Sequence, residues 1–336
     1  MLPETIEKIE ELIKAGARVI SRAPVAPATL NPTEADRFGE AVEAVWGGTA
    51  EGKVNRLGKG RLAVGMDIAD ALKAFGLKPH IQDNGAEIIW SERAIDGARW
   101  YYIAAPVGEG FKGTIKLEGK GKAEWWDPVE GTARSLKARG LGRMKKVHLE
   151  LEKAESGFVV FRSDSPGAKA KAFEKTVPSG RIAVGNWTVK FPEGWGAPTE
   201  PVALDELKPW KDLDLGDEGK AFSGTATYQA VFNASKDQVG KDLFLNLGNV
   251  DFIADVKVNG KSAGVRWTEP YRLNIKDFVQ EGENSLTVDV TGTWYNRLAY
   301  DASLPEAARK TWTIAGPAAG SPLHDSGLLG PVVIEY

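Results

Sequence analysis

The chain of 336 residues contains no cysteine, which excludes disulfides, thiolate metal ligands and cysteine nucleophiles and leaves the redox compartment unreadable. Its three histidines, His80, His148 and His324, lie far apart, against a histidine-rich zinc site. No run of about 18 apolar residues occurs, so no membrane partner is expected, and the opening Met1-Leu2-Pro3-Glu4 lacks the basic and apolar regions of a signal peptide. The expectation is a soluble protein. An excess of either charge is missing too: 43 Lys and Arg stand against 46 Asp and Glu, a net charge of −3. That balance cannot supply the positive field that non-specific nucleic-acid binding needs. No internal repeat of fixed period is present.

What the chain does contain is ordinary globular material, 42% hydrophobic and 26% charged, which argues against disorder, collagen or coiled coil. At roughly 100–200 residues per domain, the length predicts two or three domains. Eleven tryptophans with 38 glycines and 18 prolines point to short strands, tight turns and surfaces able to stack on flat ligands, although most tryptophans in any protein are packing residues.

The period of the apolar residues divides the chain. Residues 1–87 read as a small layered α/β domain. Pro3 suits a first helical turn, Ile6, Ile9, Leu12 and Ile13 share a helical face, and Gly16 can end the helix. A strand at Ala17–Ile20, a second helix from Glu34 to Trp46 and the run Leu62-Ala63-Val64-Gly65 come next. Asp67 then caps a third helix with Ile68, Leu72 and Phe75 on one face. Such alternation implies a partly parallel sheet. Residues 88–163 switch to period two, as in Trp100-Tyr101-Tyr102-Ile103 and Thr114-Ile115-Lys116-Leu117, and read as a short antiparallel β domain. Residues 164–205 read as an exposed linker and extended strands. Residues 206–336 alternate most clearly, at Leu243, Leu245 and Leu247, at Ala254, Val256 and Val258, and at Leu286, Val288 and Val290, the pattern of an antiparallel β-sandwich. Asn259-Gly260 is a type I′ hairpin signal. The fold class expected is thus α/β plus all-β.

Two motifs mislead. Gly108-Glu109-Gly110-Phe111-Lys112-Gly113 spells a dinucleotide fingerprint, but Thr114-Ile115-Lys116-Leu117 alternates like a strand where the fingerprint requires a helix, so a hairpin loop is expected. Gly260-Lys261-Ser262 ends like a phosphate-binding loop, yet Asp255 stands where its first glycine belongs. Asn186-Trp187-Thr188 and Asn233-Ala234-Ser235 fit a glycosylation pattern that arises often by chance. The lysine-rich stretches at 112–122 and 137–153 are interleaved with glutamates and read as solvated strand faces.

Two segments of the sandwich are harder to dismiss. Arg266-Trp267-Thr268-Glu269-Pro270-Tyr271-Arg272 and Thr293-Trp294-Tyr295-Asn296-Arg297-Leu298, with Asp301 beyond, combine aromatic faces with planar hydrogen-bonding groups. A pyranose packs its C–H patches on an indole and shares its hydroxyls with Asn, Arg and carboxylate groups. The residues that could bind sugar are therefore Trp267, Glu269, Tyr271, Trp294, Asn296, Arg297 and Asp301. The alternative is that both tryptophans plug the ends of the sandwich while Arg297 pairs with Asp301 to stitch a loop.

The order Phe222-Ser223-Gly224-Thr225-Ala226-Thr227-Tyr228, Leu245-Asn246-Leu247-Gly248, Val256-Lys257-Val258-Asn259-Gly260-Lys261, Pro270-Tyr271, Gly282-Glu283-Asn284 and Ser326-Gly327-Leu328-Leu329-Gly330-Pro331 resembles the galactose-binding-like jelly roll. More narrowly, Thr293–Leu298 with Asp301, Leu304-Pro305 and the Ser-Gly-Leu-Leu-Gly-Pro ending resembles the C-terminal region of glycoside hydrolase family 106, the large α-L-rhamnosidases. Lys14-Ala15-Gly16-Ala17, Gly58-Lys59-Gly60-Arg61 and Trp126-Asp127-Pro128-Val129-Glu130-Gly131 extend the likeness upstream. The resemblance implies carbohydrate as partner, rhamnose- or galactose-containing, and export to periplasm or medium. In that family the acid and base are glutamates of a barrel that takes roughly 250 residues, with calcium nearby. The barrel is missing here, so those residues have no positions in this chain. Three readings remain: a glycan-binding accessory region without catalysis, working with a separate catalytic domain or as a homo-oligomer; a short glycosidase using Asp251, Glu269 and Asp301; or an interaction scaffold. No cofactor is called for. Calcium fits jelly rolls of this type, but no run of oxygen ligands identifies it.

Overall fold

The computed structural model describes residues 1–83, 85–163 and 178–336. The first part of the expected linker and extended strands, residues 164–177, lies outside them. The chain is mostly β with few helices and divides into two compact units, Met1–Gln82 and Asp83–Tyr336.

In the first unit, helix Pro3–Ala15 carries proline in its first turn and ends where Gly16 takes φ +125° and donates its N–H to the Ile13 carbonyl at 2.9 Å. Helix Pro32–Trp46 starts ahead of Glu34 because the Asn31 side chain accepts from the Thr33 N–H at 3.1 Å. Strand Arg18–Ile20 runs parallel to Gly60–Val64, which also pairs antiparallel with Lys53–Leu57. Ile6, Ile13, Phe38, Val45, Trp46 and Leu62 bury against one another. Asp67 accepts from the Ala69 and Asp70 N–H groups at the start of helix Ile68–Ala74. That helix buries Ala71, with Phe75 buried as expected just beyond it, but leaves Ile68 and Leu72 exposed, so the buried face runs through Ala71 and Phe75.

The second unit begins with an antiparallel region. One sheet orders Ile89–Ile95, Ala98–Ala104, Ser156–Arg162, Lys122–Asp127 and Thr132–Leu136. In the other, Met144–Leu151 pairs with Phe111–Glu118 and Ala138–Arg139. The Tyr101 hydroxyl donates to the Glu118 carbonyl at 2.8 Å and ties the two. The glycine-rich Gly108–Gly113 segment therefore crosses between sheets and is not a hairpin loop: its flanking strands lie in different ladders.

The remainder builds a two-sheet sandwich around one apolar core. The larger sheet orders Val202–Leu204, Gly185–Lys190, Thr225–Ala234, Gly282–Thr291, Ile253–Val258 and Lys261–Arg266. The smaller orders Arg181–Ala183, Val333–Glu335, Phe244–Asn246 and Arg272–Asn274. The sandwich thus recruits strands upstream of residue 206. Alternate residues Tyr228, Leu245, Val256, Leu273, Val288 and Ile334 point into the core and are fully buried. Asn259 and Gly260 both hold positive φ, +52° and +74°, as a type I′ turn requires.

Trp210 closes the end of this core. It packs edge-on against Phe191 and Phe222, and its Nε1 donates to the Tyr228 hydroxyl at 2.6 Å. Gly327, at φ +116°, passes so close that a Cβ there would sit 2.7 Å from both Trp210 Nε1 and the Tyr228 hydroxyl. Gly327→Ala is therefore expected to destabilise the unit by about 1–3 kcal/mol from overpacking alone, with backbone strain in addition, read as a lowered denaturant midpoint.

Candidate functional site

Strand Lys261–Arg266 delivers Trp267 to the surface, where it is 62% exposed. Ala254 pairs with Arg266 across the hairpin, and the neighbouring Phe252, Ile253 and Val265 are also exposed, so the indole stands within an apolar rim. Arg266 turns inward: its Nε donates to the Arg272 carbonyl at 2.8 Å and it pairs with Glu130. Glu269 meets the Lys153 ammonium at 3.4 Å. Tyr271 is buried and donates its hydroxyl to the Phe252 carbonyl at 2.6 Å. Burial, with the Glu269 and Asp251 charges behind it, pushes the Tyr271 hydroxyl up to about 12.

The second motif forms a helix, Tyr295–Ala302, with Trp294 at its N-terminal boundary. Helical spacing sets Arg297 and Asp301 on one face, where they pair at 2.7 Å with each side chain only 1% exposed. The other Arg297 arm donates to Glu218 at 2.7 Å. Asp301 also accepts from the Lys310 N–H and from both the N–H and hydroxyl of Thr311. Burial raises the Asp301 carboxyl, but the Arg297 and Thr311 hydrogen bonds outweigh it and hold the group below the usual range. Lys310 first and Arg297 next lower Glu218 by hydrogen bonding. Asn296 gives its amide to the His324 carbonyl at 2.9 Å and accepts from the His324 N–H at 2.8 Å.

Of the seven residues singled out, Tyr271, Asn296, Arg297 and Asp301 are thus buried and committed to the protein, which leaves a ligand little beyond the one Arg297 Nε that has no partner. Trp267 and Trp294 are open, the latter 47% exposed, and Glu269 is partly so. The ring that meets Trp294 is Trp195, edge-on at 5.2 Å. The Arg297 guanidinium lies 5.4 Å from the Trp195 centroid and the Lys310 ammonium 5.9 Å from it. Sequence reading missed Trp195 and Glu218; the isolated Gly194-Trp195-Gly196 triplet, a large ring between two turn residues, was the available signal.

The three carboxylates considered for hydrolysis separate. Asp301 is locked in its pair with Arg297. Asp251 lies at the end of strand Asn249–Asp251, where burial raises its carboxyl while Ser326, donating at 3.3 Å, works against the rise. Close by, the Tyr295 and His324 rings stack at 3.8 Å. Only Asp251 and Glu269 act on a common group, the Tyr271 hydroxyl. Among the described residues no cluster of three or more His, Cys, Asp or Glu side chains is placed to hold a metal ion. No described helix is long and apolar enough to cross a membrane.

Comparison with known proteins gives two family matches: residues 1–139 match the alpha-L-rhamnosidase model and residues 218–323 the glycosyl hydrolase 2 galactose-binding domain-like model. The solved rhamnosidase from Novosphingobium sp. PP1Y is 32% identical with a TM-score of 0.70, covering 98% of this chain and 32% of that one. A curated Formosa agariphila protein that carries a provisional beta-glucuronidase name is 42% identical over 134 residues, 39% of this chain and 11% of its own length. The chain therefore spans about a third of that rhamnosidase and about a tenth of that curated relative. Residues 1–139 are thus similar to alpha-L-rhamnosidases and residues 218–323 to a galactose-binding-like domain of glycoside hydrolases.

Proposed function

We propose that this rhamnosidase-like chain is an accessory region that holds glycan chains through two exposed indoles, Trp267 and Trp294, on a jelly-roll sandwich, for a catalytic domain outside the sequence given. The observation that carries the reading is the setting of Trp294. Its ring stands half exposed against Trp195, which is held from beneath by an Arg297 locked between Glu218 and Asp301. An indole fixed in this way loses little ordering entropy when a sugar face lies on it. Glu269, at the rim beside Trp267, offers an acceptor for hydroxyls. The roles proposed for the buried four are supporting ones: Tyr271 props the Phe252 backbone, Asn296 holds the His324 segment, and Arg297 with Asp301 forms the floor.

Rhamnose- or galactose-containing oligosaccharides are the proposed ligands. Trp294→Ala and Trp267→Ala are each expected to weaken binding roughly tenfold, the order of one lost stacking contact, measured by calorimetric titration. Unchanged affinity in both would reject the reading in favour of an interaction scaffold.

One observation favours a second reading, a short glycosidase: Asp251 and Glu269 both bear on the Tyr271 hydroxyl, and Asp251 is raised toward an acid's role. It predicts release of nitrophenol from aryl glycosides that disappears in Asp251→Asn and in Glu269→Gln.

A further inference from the structure

A cleft of about 610 Å³, lined by neither Trp267 nor Trp294, lies in the second unit between the antiparallel region and the outer face of the smaller sandwich sheet. The register of that sheet builds its floor. Ile182, Ile334, Leu245 and Leu273 point into the core, so their neighbours face outward: Arg181 pairs with Glu335, Glu335 with Phe244, and Asn246 with Arg272. Phe111 and the Lys112–Glu150 ion pair line the facing side.

The floor is preorganised and one-sided in its chemistry. Glu335 is only 7% exposed, and each of its oxygens is taken: Oε1 accepts from Arg181 at 3.1 Å and Oε2 from Arg272 at 3.2 Å. The Arg272 guanidinium is further fixed 3.9 Å above the Phe244 ring. The Asn246 side-chain carbonyl accepts from the Gly248 N–H at 3.0 Å. Among the described residues the remaining guanidinium N–H groups of Arg181 and Arg272 and the Asn246 amide N–H groups make no hydrogen bond. Two guanidinium groups share one carboxylate, so the floor keeps a net positive charge, and its uncommitted groups are all donors. The facing wall carries the Lys112–Glu150 pair and Glu152, so the excess positive charge is the floor's alone, and a sugar that sets a carboxylate on the floor meets acceptors for its hydroxyl protons on that wall. A carboxylate on a sugar ring takes planar donors two at a time and neutralises the charge.

We propose that this cleft is a second glycan subsite, selective for acidic sugars, with Arg181, Arg272 and Asn246 binding the uronate carboxyl and Phe111 packing on the ring. It takes a ligand class different from that proposed for the tryptophan face and stands or falls apart from it. The test titrates the full chain with trigalacturonic acid and with its fully methyl-esterified form, in which each carboxylate is replaced by an uncharged ester. The acid is expected to bind, to bind at least tenfold more tightly than the ester, and to weaken as sodium chloride rises. Arg181→Ala, at a side chain 67% exposed whose removal leaves Glu335 paired with Arg272, is expected to weaken the acid roughly 10- to 100-fold, the scale of lost charged hydrogen bonds. Trp294→Ala is expected to leave it unchanged. No binding of the acid, equal binding of the ester, or wild-type affinity in Arg181→Ala would each overturn the proposal.

Discussion

Arg297→Ala is expected to cost about 3–5 kcal/mol of the second unit's stability, the usual penalty for removing one partner of a buried ion pair. Both side chains of the Arg297–Asp301 pair are essentially inaccessible, so the orphaned carboxylate cannot turn to water. An apolar replacement of the pair, Arg297→Met with Asp301→Leu, should recover only part of the loss. Asp301 also accepts from the Lys310 and Thr311 N–H groups, which would then be left unsatisfied. The pH dependence has a definite sign. Asp301 titrates below its ordinary value in the fold, so its contribution is whole above about pH 4–5 and is lost as pH falls through the depressed value. The gap between wild type and Arg297→Ala should therefore narrow in acid. Denaturant titrations at neutral and at acid pH measure both. The same substitution removes the cation beneath Trp195, so a variant that remains folded should also bind glycan less well.

Trp210→Ala should be comparably damaging, at about 3–5 kcal/mol for a fully buried indole. The ring packs against Phe191 and Phe222, which also meet each other, and is hydrogen-bonded to Tyr228, whose hydroxyl also accepts from the Leu328 N–H at 3.2 Å. Its backbone N–H, which donates to the Ser326 carbonyl at 3.0 Å, survives the change. Trp210→Phe should cost well under half as much, since most of the volume remains and the Tyr228 hydroxyl keeps Leu328. A loss of similar size in both variants would mean that the hydrogen bond, and not the filled volume, holds this end of the sandwich.

The apolar alternation of Leu243, Leu245 and Leu247, of Ala254, Val256 and Val258, and of Leu286, Val288 and Val290 was readable because a strand half-buried in a sandwich must repeat every second residue, and all nine side chains are buried. Caps at Asp67 and Gly16 were readable because they are local hydrogen-bonding and backbone effects. Local signals could not tell that the Gly108–Gly113 loop switches sheets, since a crossover and a hairpin use the same turn residues. The helix at Tyr295–Ala302 escaped notice because its polar face is its buried face: Asn296, Arg297 and Asp301 point inward where apolar residues are normally sought. For the same reason the motif read as a ring of sugar donors when most of those donors serve the fold. Trp195, nearly 100 residues upstream of Trp294 in the chain, could be joined to it only in three dimensions.

Glycan binding by this chain requires that the Trp267 and Trp294 rings, both open to solvent, be free to take a saccharide. Indole Nε–H resonances of the full chain, observed by NMR as a rhamnose-containing oligosaccharide is added, address this directly. Shifts of the Trp267 or Trp294 signal that saturate, with the Trp210 and Trp187 signals unmoved, are the predicted result. Both exposed indole signals staying still at millimolar sugar would contradict it.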